Sequence, residues 1–251
     1  MDIGTYTALS AGLFQMKKLE VQNNNLANTN TVGFKRQYLI PEMKEFSDTL
    51  SGQMGSSPLA EDDLKRAPIV TAYRSVIDFT QGAIRHTGNP LDAALRNAND
   101  FFVVSTPQGQ QYTRAGNFAI SQNGELVTQD GERVVGDGGN IQIGAPGAEI
   151  TQDGSIRVQG IIVGRLQVVR FDKTDGLEAV SGSRFRRTGP APVQVEPYVE
   201  PRAVEQSNAS VVTGMIDLIS TNRAFDAYSK AAQTIDSLNQ AAISQVGRRT
   251  S

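Results

Sequence analysis

The chain contains no cysteine and no tryptophan, and His86 is the only histidine among its 251 residues. Without cysteine, the protein has no disulfide, no zinc–thiolate site and no thiol nucleophile. A single histidine excludes a metal site built from several histidines. We interpret His86 as a surface or hydrogen-bonded structural side chain, and we expect no metal, no cofactor and no catalytic site.

Charge of one sign is not in excess, because 24 basic residues face 26 acidic ones. The sequence therefore gives no reason to expect nucleic acid or an anionic membrane as a partner. No apolar run approaches the roughly 18 residues that a membrane-spanning helix needs, so we expect no membrane insertion. The first residues lack the basic and apolar regions of a cleaved signal peptide. A cytoplasmic protein and a protein exported uncleaved through a dedicated channel both fit this composition.

The N-terminal region has the pattern of a helix from Asp2 to about Asn28. Apolar residues recur there at helical spacing, and no proline interrupts them. Polar residues from Asn28 onward and Gly33 then favour the end of the helix. The apolar positions are Leu9, Leu13, Met16, Leu19 and Leu26.

The C-terminal region, from about Val204 to Val246, predicts a second and longer helix. Neither proline nor glycine occurs between Met215 and Gln245. Its spacing of four and three residues is typical of a heptad, and the helix can extend roughly 60 Å. A helix of that length needs another helix to cover its apolar surface. The heptad positions are Val211, Met215, Leu218, Asn222, Phe225, Ser229, Ala232 and Asp236, and Ile235 and Leu238 widen the surface.

Between the two helical regions, short β-branched and aromatic runs alternate with Asn-Gly and Asp-Gly pairs, as at Asn123-Gly124 and Asp153-Gly154. Such pairs favour tight hairpins, and the spacing predicts a mostly antiparallel β domain. The fold class is therefore α+β, with discontinuous terminal helices in a coiled-coil-like domain around an inserted β domain. We place the helical domain at 1–34 with 204–251, an irregular linker at 35–68 and the β domain at 69–203.

Several polar residues lie on or near the predicted helix faces, among them Asn24, Asn25 and Asn222. Buried amides need hydrogen-bond partners, so an isolated pair of such helices is marginally stable. We expect the two ends to become fully ordered only when many copies pack together.

Three blocks of the sequence resemble the flagellar rod and hook proteins. The first is Asn23–Asn28 with Thr31–Lys35, the second extends from Leu91 to Thr128 and includes Tyr112–Phe118, and the third is Gln206–Ala209 with Asn222–Lys230. The resemblance implies a structural subunit, not an enzyme, that the flagellar export apparatus secretes unfolded. It implies assembly into a helical tube that crosses the periplasm and transmits torque from motor to hook, with the terminal helices lining its core.

The implied partners are other copies of the chain and other rod proteins, including distal rod and inner rod subunits. Within the family, the length, the segment from Asp137 to Ile141 and the C-terminal segment are most similar to the proximal rod proteins. The distal rod proteins are the alternative. A soluble β-domain enzyme or binding module, merely dimerised by its helices, is the hypothesis from another class.

The resemblance and the helix patterns together predict the residues of the subunit interface. For Asn24, Asn25 and Asn28, solvation near a helix end is the alternative to contacts with other subunits. For Arg223, solvent exposure and pairing with a carboxylate remain equally open. The predicted interface is Leu9, Leu13, Met16, Leu19, Asn24, Asn25, Leu26, Asn28, Gly33, Phe34, Met215, Leu218, Asn222, Arg223, Phe225, Ile235 and Leu238.

Overall fold

The computed structural model describes residues 3–45 and 68–249. The chain divides into two compact units. The first, which we call the helical unit, contains residues 1–24, 37–76 and 212–251, and the second, which we call the β unit, contains residues 25–36 and 77–211. Both units are therefore discontinuous in sequence.

The described residues form an α+β protein in which strand pairing is antiparallel wherever the register is defined. The α-helices in the described residues are α1 (Ile3–Ala27) and α2 (Val211–Arg249). The strands are β1 (Gln37–Glu45), β2 (Pro68–Ile77), β3 (Ile84–His86), β4 (Ala93–Leu95), β5 (Asp100–Thr106), β6 (Gly109–Thr113), β7 (Ala119–Ile120), β8 (Leu126–Val127), β9 (Arg133–Gly136), β10 (Gly139–Asn140), β11 (Ala148–Ile150), β12 (Ser155–Val158), β13 (Ile161–Arg165), β14 (Val168–Arg170), β15 (Leu177–Ser181), β16 (Arg184–Arg187), β17 (Val193–Val195), β18 (Val199–Pro201) and β19 (Ala203–Glu205).

The predicted start of the C-terminal helix at Val204 is wrong, because α2 begins at Val211. Val204 and Glu205 instead belong to β19, which pairs with β3. Both residues are buried, so this stretch owes its apolar character to a place in the β core. His86 on β3 is exposed, in agreement with the sequence interpretation.

The predicted irregular linker at 35–68 contains a strand in its described part. β1 pairs with β2 in a two-stranded sheet, and most of both strands belongs to the helical unit. The sequence of β1 contains Pro41, which interrupts the usual strand pattern and hid this element. The rest of the predicted linker, residues 46–67, lies outside the described residues.

The β unit is organised around β5, which is buried on both faces. The strands of its main sheet follow the order β15-β16-β6-β5-β9-β8-β7, and β14 pairs with both β5 and β17. Because successive side chains on a strand point to opposite faces, Phe101 and Phe102 enter two different apolar clusters. Phe102 packs edge-to-face on Phe118, and Phe101 packs in the same way on Phe185.

Turn geometry in the β unit agrees with the sequence. Gly124 and Gly154 both adopt positive φ, as the Asn-Gly and Asp-Gly pairs predict. Gln159 and Arg202 are non-glycine residues with positive φ, of 51° and 56°, which the sequence did not indicate. Gln159 lies between β12 and β13, and Arg202 lies between β18 and β19.

Candidate assembly surface

One side of α1 carries an apolar face that is exposed among the described residues. Leu9, Leu13 and Met16 are spaced by four and three residues and therefore share one side of the helix. Their exposed fractions are 49%, 57% and 44%. Three large apolar side chains in one row on a helix form a contiguous patch of the kind that marks an interaction surface.

A second exposed apolar face lies at the start of α2. Val212, Met215, Ile216 and Ile219 are spaced by three and four residues, and each is at least half exposed. Further along the same helix, Leu238 is 64% exposed. We call the exposed faces of Leu9–Leu13–Met16 and Val212–Met215–Ile216–Ile219 the uncovered helix faces.

The other side of α2 is turned inward. Leu218, Phe225 and Ile235 are half-buried, and Thr221 is almost completely buried. The buried position is Thr221 and not Asn222, so the predicted heptad is displaced by one residue there. The neighbouring Asn222 and Arg223 are exposed.

The two helices approach each other at Gly12 of α1. Gly12 is buried, and a methyl group placed on it would lie 4.0 Å from Cβ of Tyr228. This is an ordinary van der Waals distance, so the two helices come close at this point and alanine would also fit there. Ala8, one turn earlier on the same side of α1, is also buried.

Among the described residues of the helical unit, two side-chain polar atoms are buried without a hydrogen-bond partner. They are Oε1 of Gln22 on α1 and Oγ1 of Thr221 on α2. A buried polar group that lacks a partner costs about 1–3 kcal/mol. Packing between the inward sides of these two helices is thus less stabilising than packing between two apolar helices of the same length.

The predicted interface residues at the end of α1 are placed in several environments. Leu19, Leu26 and Asn28 are half-buried, Asn24 is exposed and Asn25 is buried. The hydroxyl of Thr31 donates a hydrogen bond of 3.0 Å to Oδ1 of Asn28, so Asn28 holds the turn that follows the helix. Each of the three asparagines has a partner within the chain.

Gly33 and Phe34 lie inside the β unit. Phe34 is 1% exposed, and the amide of Gly33 donates to the carbonyl of Glu205 at 2.8 Å. Gly33 has φ of +70°, and a methyl group on it would lie 2.3 Å from the backbone nitrogen of Ala115. Gly33 and Phe34 therefore pack within the β unit of their own chain.

The β unit encloses a cluster of three charged side chains, Lys35, Arg114 and Glu205, which we call the ion clasp. The side chains of all three are fully buried. The carboxylate of Glu205 accepts hydrogen bonds from Nζ of Lys35 at 2.6 Å, from the amide of Gly82 at 2.9 Å and from Nε of Arg114 at 2.8 Å. Nη2 of Arg114 donates to the same carboxylate.

The two cations of the ion clasp use their remaining N–H groups on backbone carbonyls. Lys35 donates to the carbonyl of Thr80 at 2.6 Å. Nη1 of Arg114 donates to the carbonyls of Asn97 at 2.5 Å and Asp100 at 2.6 Å. Burial lowers the pKa of the Lys35 ammonium, and the neighbouring carboxylate of Glu205 acts in the opposite direction.

Asn208 also joins the two chain segments that make up the β unit, residues 25–36 and 77–211. Its Oδ1 accepts the backbone N–H of Arg36 at 2.7 Å, and its Nδ2 donates to the carbonyls of Asp78 and Thr80. The amide of Asp78 donates in turn to the carbonyl of Arg36. The segment after α1 and the segment before α2 are thus held together on one side of the β unit.

The three sequence blocks that resemble one family meet at the ion clasp and the adjacent Asn208, since Lys35, Arg114 and Asn208 come from different blocks. The sequence analysis did not single out Lys35, Arg114 or Glu205 as a group. An available indication was the placement of each charge beside small or apolar residues, as in Gly33-Phe34-Lys35 and Ala203-Val204-Glu205. Charges in such surroundings are rarely buried unless they are paired.

Among the described residues, no three histidine, aspartate or glutamate side chains are grouped so that they could hold a metal ion. Neither helix is long and apolar enough to cross a membrane.

A groove of about 290 Å³ in the β unit is lined largely by hydroxyl and amide side chains, including Asn28, Thr31 and Thr128. The charged residues Asp130 and Arg184 also line it.

Comparison with known proteins gives one consistent result. A family model described as the flagellar hook protein FlgE/F/G D1 domain matches residues 97–163, and one described as the flagellar basal body rod FlgEFG protein C-terminal matches residues 200–245. A Caulobacter vibrioides protein named flagellar basal-body rod protein FlgF is 32% identical and covers 99% of both chains. A second protein of that species, named flagellar basal-body rod protein FlgG, is 33% identical over 94% of this chain and 96% of its own. An Escherichia coli protein named FlgF is 29% identical over 94% of this chain and 95% of its own.

Proposed function

This chain belongs to the family of flagellar basal-body rod proteins and is a structural subunit of the rod, and from this we propose that its uncovered helix faces are the surfaces through which it assembles. The observation that carries the proposal is the row of exposed apolar side chains on both helices, such as Leu13 and Ile216. Burial of apolar surface contributes about 25 cal/mol per Å², so covering these faces favours association.

In the proposed assembly, α1 and α2 pack as a coiled-coil-like pair whose outer faces contact neighbouring subunits. Leu9, Leu13, Met16, Met215 and Leu238 make these contacts, with Leu19, Asn24, Asn222 and Arg223 at their borders. The unpaired Gln22 and Thr221 support this arrangement, because they weaken the helix pair of a single subunit relative to a larger packed assembly.

We further propose that the subunit is exported through the flagellar secretion apparatus without a cleaved signal, and that the rod it joins crosses the periplasm and transmits torque. Its partners are other copies of itself and the other rod subunits. We assign it to the proximal part of the rod on the basis of its length and the Asp137–Ile141 segment. Co-purification of the adjacent rod protein tests this position, and a partner from the hook side would contradict it.

A truncated chain lacking residues 2–24 tests the assembly proposal. This deletion removes α1 as far as the boundary of the β unit and leaves the ion clasp intact. We expect cells that carry only the truncated chain to be non-motile and their basal bodies to lack a complete rod. Motile cells whose rods contain the truncated chain would contradict the proposal.

A further inference from the structure

We propose that the ion clasp is a positioning device that fixes, on the β unit, the two points from which the chain passes to α1 and to α2. Lys35 follows the end of α1, and Glu205 precedes the start of α2. The salt bridge between them joins residues that are 170 positions apart in the sequence. No other role in the proposed assembly requires a buried charge at these positions.

The composition of the clasp favours positioning over stabilisation. A buried ion pair gains little net stability, because the loss of hydration offsets most of the attraction between the charges. Here two cations share one carboxylate, so the buried cluster also keeps an excess positive charge. Apolar side chains would fill the same space with less loss of hydration, but they would not prescribe one geometry.

The hydrogen bonds of the clasp are directional. The carboxylate of Glu205 receives donors from three separate segments, through Lys35, Gly82 and Arg114. Arg114 spans from this carboxylate to the backbone carbonyls of Asn97 and Asp100, which anchors the clasp to the start of β5. A shift of either terminal segment along the β unit therefore breaks several charge-assisted hydrogen bonds at once.

For a rod subunit, which is the role on which this inference builds, a fixed pair of exit points means that both helices leave the β unit from the same place in every copy. The inference can be tested on the monomer alone. Its failure would leave the rod assignment intact, and failure of assembly would leave the monomer result intact.

The test is a distance measurement between two spin labels on the full chain. Labels at N30C and A209C lie on the segments after α1 and before α2, and the native chain has no other cysteine. The variant Lys35→Met removes the link to Glu205 and Thr80 and leaves the Arg114–Glu205 pair in place. As a control, Arg133→Met removes an ion pair with Glu125 in another part of the β unit.

We expect one narrow distance distribution for the native sequence and for Arg133→Met, and a distribution about twofold wider or more for Lys35→Met. An unchanged width in Lys35→Met, or equal broadening in both variants, would overturn the proposal.

Amide hydrogen exchange on the native sequence gives a second test that does not depend on the folding of a variant. The amides of Gly33, Gly82 and Arg36 should exchange as slowly as that of Val134 in the β core, because the clasp opens only when the unit unfolds. Exchange at those three amides that is far faster than at Val134 would overturn the positioning role.

Discussion

Gly33 and Ala115 lie so close together that a methyl group on Gly33 would be only 2.3 Å from the backbone nitrogen of Ala115. Gly33 also has positive φ, which side chains other than glycine adopt at a cost. The loop after α1 therefore packs directly on the segment that follows β6 and contains Arg114. This contact accounts for a glycine at a position where the sequence indicated the end of a helix and a contact with other subunits.

Gly33→Ala should destabilise the β unit strongly. Gly88→Ala is the matched control, because Gly88 also has positive φ but has no atom within 4 Å of an added methyl group. We expect Gly88→Ala to cost about 1 kcal/mol, which is the backbone contribution, and Gly33→Ala to cost clearly more. Urea denaturation followed by circular dichroism measures both, and equal losses would contradict the close packing.

Asn208→Ala should separate the segment before α2 from the segment after α1. The side chain accepts a hydrogen bond from Arg36 and donates to Asp78 and Thr80, so its loss leaves those groups without partners. We expect a loss of about 1–3 kcal/mol in the free energy of unfolding of the β unit. Asn208→Asp keeps the acceptor but loses the donors, so it should not restore stability, and full restoration would contradict the assigned contacts.

Thr221→Val should stabilise the helical unit of the isolated chain. The substitution replaces a buried hydroxyl that has no partner with a methyl group of similar size. We expect a gain of about 1 kcal/mol, seen as a higher melting temperature of the helical signal in circular dichroism. Thr234→Val on the same helix is the control, since Thr234 is exposed, and it should have little effect. A loss of stability in Thr221→Val would show that the hydroxyl is satisfied.

The carboxyl group of Asp153 should titrate well below an ordinary aspartate. The hydroxyls of Thr151 and Ser155 donate hydrogen bonds to it and lower the pKa of Asp153 to about 2. Because the folded pKa is lowered, the stabilising contribution is complete above the unfolded value of 3.8 and is lost as the pH falls towards 2. Since the group is largely exposed, solvent screening keeps this contribution small.

An NMR titration of the Asp153 carboxyl group measures this shift. Thr151→Val should raise the midpoint towards 3.8, because it removes the largest cause of the lowered pKa. Thr188→Val, at a threonine that donates to Gly176 and not to Asp153, should leave the midpoint unchanged. An unshifted midpoint in Thr151→Val would contradict the assigned hydrogen bond.

The sequence predicted the arrangement of the chain better than its details. Helical periodicity identified α1, and the turn pairs identified the antiparallel β insertion, since both depend on local patterns. The buried position of α2 is Thr221, one residue before the predicted heptad position Asn222. Both residues are polar, so periodicity could not choose between them. β1 was missed because Pro41 interrupts its pattern.

The ion clasp could not be predicted from spacing, since Lys35, Arg114 and Glu205 are far apart in the sequence. Only the tertiary fold brings them together. The resemblance of three separate blocks to one family indicated that these regions matter together. It did not indicate that two of the blocks contribute to a single buried salt bridge network.

The central claim is that the uncovered helix faces are covered by neighbouring subunits in the assembled rod. A density map of intact hook–basal bodies from cells that produce this chain measures this directly. The account predicts that Leu13 and Ile216 are buried against helices of adjacent subunits. A rod in which this chain is present and both side chains face solvent would contradict it.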